Sequence, residues 1–147
     1  MPNNPPVMSR IGVIFLTWQR YLQKQLVPHQ ITLKQQFVLR KLVSKPALNP
    51  SQIAEFLYCD RPTATVIINN MERQGWVKRS KDPLNKKMVQ IAITEEGEHK
   101  LSSLQPVFQS ANEFDPLSCF TEEEKQQLSA LLGKLSDHIK QVKHEPE

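Results

Sequence analysis

Between residues 49 and 75 the chain marks the start of two short helices in quick succession, and this stretch constrains the fold more than any other. Asn49-Pro50-Ser51-Gln52 places an asparagine at the cap position, a proline where a missing N–H costs nothing, and a glutamine that can reach back to the cap. The helix started there is expected to end near Leu57 or Tyr58. Tyr58-Cys59-Asp60 leaves room for a tight turn only, and Asp60 or Arg61 begins the next helix, with Pro62 in its first turn and Gly75 after its end. Two short helices joined by a three-residue turn form a helix-turn-helix.

In the second of these helices Ala64, Ile67, Ile68 and Met71 recur at helical spacing and form a core stripe. The opposite face carries Pro62, Thr63, Thr65, Val66, Asn69, Asn70 and Arg73. Threonine and asparagine do not favour helix interiors, so helix stability does not explain them. On an outward face their short side chains can approach base edges, where Asn pairs with adenine and Thr offers a hydroxyl and a methyl. The alternative, that Asn69 and Asn70 are local caps, requires a helix end that neither occupies.

A hairpin follows. Trp76-Val77-Lys78-Arg79-Ser80 has strand composition, and Val89-Gln90-Ile91-Ala92-Ile93 alternates with period two. The turn-rich tip between them, residues 81–87, contributes to a group of five basic side chains, Lys78, Arg79, Lys81, Lys86 and Lys87, around the single acid Asp82. Such a charge run is either a solvated turn or a polyanion contact, and its place directly after a recognition-type helix favours contact. The charge is also unevenly spread. Residues 1–30 carry three basic and no acidic side chains, residues 31–95 eleven and five, and residues 96–147 five and ten. A basic middle between helical ends fits a module that faces phosphates.

The flanks read as helices. The first runs from Val7 or Met8 to Pro28, with Ile11, Ile14, Phe15, Trp18, Leu22 and Leu26 in register and Val13, Leu16 and Tyr21 widening the stripe. A helix apolar on more than one side, in a chain of 147 residues, implies a partner chain over the second face. Thr32-Leu33-Lys34-Gln35 is a capping box before another helix, and Thr94 caps a helix that Pro106 should kink or end. Residues 112–120 read as irregular. A third capping box, Thr121 with Glu124, opens a last helix with its stripe at Leu128, Leu131, Leu132, Leu135, Ile139 and Val142.

Other classes of protein lack their signatures here. Two cysteines, Cys59 and Cys119, cannot staple a secreted scaffold, and the four histidines make no metal-ligand cluster, so no metal or other cofactor is expected. The apolar stretch from Ile11 to Trp18 is far shorter than the roughly 18–20 residues of a membrane span, and Gln19-Arg20 replaces a cleavage site. The expected setting is a reducing cytoplasm. Catalysis has no nucleophile–base motif and no glycine-rich phosphate loop behind it.

Read in order, these segments resemble the MarR family of winged helix-turn-helix regulators. The resemblance is carried by residues 33–39, 49–57, Thr63-Ala64-Thr65, Met71 through Arg79, Asp82-Pro83 and Ile93 through Gly97. It implies a mainly α fold with a small β component: a single domain over residues 1–147, six helices and a two-stranded wing. The DNA-binding core would span 31–95, with the helix-turn-helix at 49–72 and the wing at 76–93. Residues 7–28 and 95–143 would supply the dimerisation helices of a homodimer. Arg61, Pro62, Thr63, Thr65, Val66, Asn69, Asn70 and Arg73 become the recognition-helix contacts, and Arg79, Lys81, Asn85, Lys86 and Lys87 the wing contacts, on a pseudo-palindromic double-stranded operator.

Two positions depart from the family pattern. Asn85 and Lys87 stand where an acidic residue and an arginine are common, which weakens an ion pair and replaces a planar fork with a point charge. Val66 stands where a polar or basic residue is common, leaving it a thymine methyl to contact. Family members often hold a small effector, and here Trp18 and Tyr21 could line a pocket for an aromatic or anionic molecule, with Arg20 or His29 as the anion's partner; helical core packing is the plainer role for the two aromatics. The function expected is a dimeric repressor relieved by such an effector. The competing reading is a winged-helix interaction module that no longer reads DNA.

Overall fold

A computed structural model describes residues 4–111 and 115–143. The chain divides into two compact units, Met1–Gln109 and Ser110–Glu147. The elements in order are α1 (Val7–Leu26), a 3-10 turn (Val27–His29), α2 (Leu33–Ser44), α3 (Pro50–Leu57), α4 (Arg61–Arg73), β1 (Val77–Lys81), β2 (Val89–Ile93), α5 (Glu95–Ser103), α6 (Gln105–Ala111) and α7 (Glu122–Lys143). The architecture is the expected one, mostly helical with one two-stranded antiparallel sheet. Of the two outcomes expected at Pro106, a kink or an end, the described residues show the helix ending, with α5 followed by a separate α6. Pro106 lies at the break, because it has no N–H to continue the helical ladder.

The starts of α2, α3 and α7 are fixed by reciprocal caps. Gln35 N–H donates to Thr32 Oγ1 at 3.1 Å, and Thr32 N–H to Gln35 Oε1 at 3.0 Å. The same reciprocal pair closes at Asn49 and Gln52, with 2.8 and 2.9 Å, and at Thr121 and Glu124, with 3.2 and 3.0 Å. These local bonds satisfy backbone donors that a helix otherwise leaves orphaned.

The core of the first unit lies where α2, α3, α4 and the hairpin converge, around the fully buried Leu39, Leu42, Ile53, Ile68, Met71 and Ile91. α3 ends on Tyr58, which takes a left-handed backbone (φ 52°) so that its own N–H and that of Cys59 return to the last turn of the helix. At the far end of α4, Gly75 (φ 80°) turns the chain into the hairpin. Gly97 brings α5 against that exit so closely that an added Cβ would lie 2.2 Å from the Trp76 carbonyl oxygen.

The hairpin is tied to the helix-turn-helix at its base. Leu48, just before α3, exchanges two backbone hydrogen bonds with Ile91 of β2, at 3.1 and 2.7 Å. The orientation of the wing is therefore set by the same backbone that positions α3.

In the second unit, turns over residues 115–120 lead into α7; residues 112–114 of the expected irregular stretch lie outside the described residues. Helix α1 buries only Leu26 fully, while Val13, Ile14, Phe15 and Leu16 are each more than half exposed. Leu131 and Val142 of α7 are similarly exposed. No helix among the described residues is long and apolar enough to cross a membrane.

Candidate nucleic-acid interface

α4 owes its outward face to burial of the opposite one. Ala64, Ile68 and Met71 are at most 1% exposed and hold the helix against the core, with Ile67 packed beside them. Arg61, Pro62, Thr63, Val66, Asn69 and Arg73 are consequently exposed, and Thr65 and Asn70 half-buried. Thr65 turns its hydroxyl back to the Arg61 carbonyl at 2.9 Å, and Arg73 donates to Asn70 Oδ1 at 3.3 Å. The helix begins at Asp60, whose carboxylate accepts the Thr63 N–H at 2.7 Å. Hydrogen bonds from the Thr63 side chain and backbone hold this carboxyl below its ordinary pKa.

The hairpin register pairs Val77 with Ile93, Arg79 with Ile91 and Lys81 with Val89. Because side chains alternate along a strand, Arg79 shares a face with the buried Val77 and is directed toward α4. It donates from Nη2 to Asn69 Oδ1, and its Nε lies 3.4 Å from Glu72 Oε2. Two residues expected to contact DNA, one from the helix and one from the wing, are thus joined to each other. Glu72 was not singled out in the sequence; its spacing of three from Asn69 and the period-two phase of Arg79 were the available signals.

The tip is built from two consecutive turns. Asn85 N–H donates to the Asp82 carbonyl at 3.2 Å, and Met88 N–H to the Asn85 carbonyl at 2.9 Å. The side chains of Asp82 and Asn85 reinforce them by accepting from Leu84 N–H at 2.9 Å and Lys87 N–H at 3.2 Å. Asn85, the departure from the family's acidic residue, braces the tip through its carboxamide. Lys81, Lys86 and Lys87 stand exposed around it, and among the described residues none of them has a carboxylate partner.

Trp18 and Tyr21 stack on α1 with ring centroids 5.3 Å apart and are half-buried. They do not line the cavity of about 370 Å³ that opens between the start of α2 and the end of α4, bounded by Val27, Gln30, Ile31, Thr32, Gln35, Asn70, Arg73 and Gln74. Arg20 and His29 do not line it either; the His29 carbonyl accepts from Lys100 Nζ at 2.5 Å, and that ammonium also lies over the Trp76 ring. Cys59 and Cys119 are free thiols. No group of three potential ligands suited to a metal ion occurs among the described residues.

Comparison with known proteins places this arrangement. The MarR family model matches residues 31–89, the stretch from the approach to α2 to the first residue of β2. The chain is 30% identical over 138 residues to the HTH-type transcriptional regulator PecS of Dickeya dadantii (strain 3937), spanning 90% of this chain and 81% of that protein. Its fold is similar to that of the transcriptional regulator SlyA, with TM-score 0.80 and 25% identity over 94% of this chain and 96% of the other. A MarR mutant from E. coli complexed with operator DNA also superposes at TM-score 0.80, with 23% identity over 88% of this chain and 93% of that one, a likeness of fold. A helix-turn-helix with a polar outward face, continued by a basic two-stranded wing and matched in family order, makes the chain a transcriptional regulator of the MarR family.

Proposed function

We propose that this regulator binds a pseudo-palindromic duplex as a homodimer, each subunit laying α4 in a major groove and the hairpin tip along the neighbouring backbone or minor groove. The observation that carries the reading is the division of α4 into a fully buried apolar face and an exposed face of Pro62, Thr63, Val66, Asn69 and Arg73, beside a lysine-rich tip. Lysines without carboxylate partners can neutralise phosphates at little desolvation cost, and hydroxyl and amide side chains can reach base edges. The MarR structure with operator DNA shares this fold and supports the same use of it.

Dimerisation follows from the apolar side chains that a single chain leaves in water, Val13 to Leu16 on α1 and Leu131 and Val142 on α7. Two recognition helices related by a two-fold axis would then address half-sites roughly 10 bp apart. Repression relieved by a small effector is the regulatory mode we propose. The cavity bounded by Arg73 and Asn70 is a place where an anionic occupant would act on the end of α4, because both residues belong to that helix.

Binding of the purified protein to the region upstream of its own gene and to a scrambled duplex, measured by fluorescence anisotropy across a salt series, tests the reading. Selective binding that weakens steeply with salt is expected, since lysine–phosphate contacts release counterions. Equal, weak binding to both duplexes at physiological salt would favour an interaction module instead.

A further inference from the structure

Of the hairpin's five basic residues, Arg79 is the one with a carboxylate partner among the described residues, Glu72, and it also donates to Asn69. Glu72 is the only acid in α4 and lies one turn beyond Asn69, so the guanidinium is held across both side chains at once. This contact dictates which way the Asn69 carboxamide faces. Arginine carries N–H donors and no acceptor, so the atom turned to it has to be Oδ1, and the two N–H groups of Nδ2 remain for a ligand.

An unrestrained asparagine reads adenine with both ends of its amide, accepting from N6 and donating to N7. At Asn69 the accepting end is engaged by a cation that Glu72 tethers in turn. Oδ1 keeps a second lone pair, but a cation held on the first weakens it as an acceptor and strengthens the Nδ2 N–H groups as donors, so the donor end becomes the stronger reader. In the major groove guanine presents two adjacent acceptors, O6 and N7. We infer that Arg79 is a specificity-determining positioning residue, which turns Asn69 from an adenine reader into a donor that selects guanine. This inference rests on the duplex-binding reading above. It also separates Arg79 from Lys81, Lys86 and Lys87, because a guanidinium already paired to Glu72 adds little to phosphate neutralisation.

The test is selection of bound duplexes from a randomised pool by the full-length protein and by Asn69→Ala, Arg79→Met and Arg79→Lys, with a thermal melt to establish that each variant folds. The wild type is expected to enrich guanine at one position of each half-site, and Asn69→Ala to flatten that position. Arg79→Met releases Oδ1 and shifts the preference there toward adenine by about tenfold or more. Arg79→Lys, whose ammonium also only donates, keeps guanine. The slope of log affinity against log salt for Arg79→Met stays within less than one ion per subunit of the wild type.

Adenine at the Asn69-dependent position in the wild type, an unchanged preference in Arg79→Met, or the loss of a full ion per subunit in its slope each overturns the inference and leaves duplex reading in place. A wild-type pool with no enriched motif overturns both. The wild-type and Asn69→Ala pools decide the guanine claim even if Arg79→Met does not fold.

Discussion

Gly97 and Gly12 occupy helices of the same chain with opposite demands. A Cβ at Gly97 would meet the Trp76 carbonyl oxygen at 2.2 Å, whereas at Gly12 it would meet nothing within 4 Å. Gly97→Ala is therefore expected to cost about 1–3 kcal/mol through forced displacement of α5 from the α4 exit. Gly12→Ala should be neutral or gain up to about 1 kcal/mol in helix propensity. Thermal melts of the two variants check this, and an equal response would mean that α5 does not pack as described. Asp60 gives a second residue-scale expectation. Its folded pKa lies below the ordinary aspartate value of about 3.9, because the Thr63 bonds favour the carboxylate. Its contribution to stability is therefore complete above that ordinary value and lost as pH falls through the lower folded one. Asp60→Asn keeps an acceptor at the cap, so melts taken down to about pH 2 should show a shallower acid loss for the variant than for the wild type.

At the scale of elements, what was legible in the sequence is what is local. The caps at Thr32, Asn49 and Thr121 each lie within four residues of sequence, and α2, α3 and α7 begin where those residues put them. The core stripe of α4 was legible from the spacing of Ala64, Ile68 and Met71. The Leu48–Ile91 bridge was not, because its partners are separated by two helices, a strand and the hairpin tip, and neither residue announces the pairing. The aim of Arg79 was missed for a different reason: charge placed it with the wing lysines, while its strand phase, two residues from the buried Val77, turns it to α4. Lys86 and Asn69 should accordingly fail in different ways. Lys86→Ala is expected to weaken binding to all duplexes alike and to lower the salt slope by about one per subunit, whereas Asn69→Ala should weaken only the preferred duplex. Titrations of a preferred and a scrambled duplex at several salt concentrations check the distinction, and identical behaviour of the two variants would remove the division of labour between helix and wing.

The whole molecule is governed by apolar surface on its terminal helices. The stripe read in the first helix, widened by Val13, Leu16 and Tyr21, implied a second covered side, and the single chain leaves Val13 and Leu16 63% and 59% exposed, with Ile14 and Phe15 of the main stripe at 67% and 58%. Sedimentation of the wild type should give a dimer, and Phe15→Asp or Leu131→Asp should shift it toward monomer while the winged-helix core still melts cooperatively; a monomeric wild type would contradict this. An effector site was not legible in the sequence, because Trp18 and Tyr21, which stack on α1, have the composition of a ligand site and equally that of a helix stripe. The central claim is two-fold reading of duplex DNA by α4 and the wing. A hydroxyl-radical footprint of the protein on a duplex selected from a randomised pool tests it most directly. Two protected half-sites about 10 bp apart, on one face and related by symmetry, are predicted; a single half-site, or no protection at a salt concentration that suppresses non-specific binding, would contradict it.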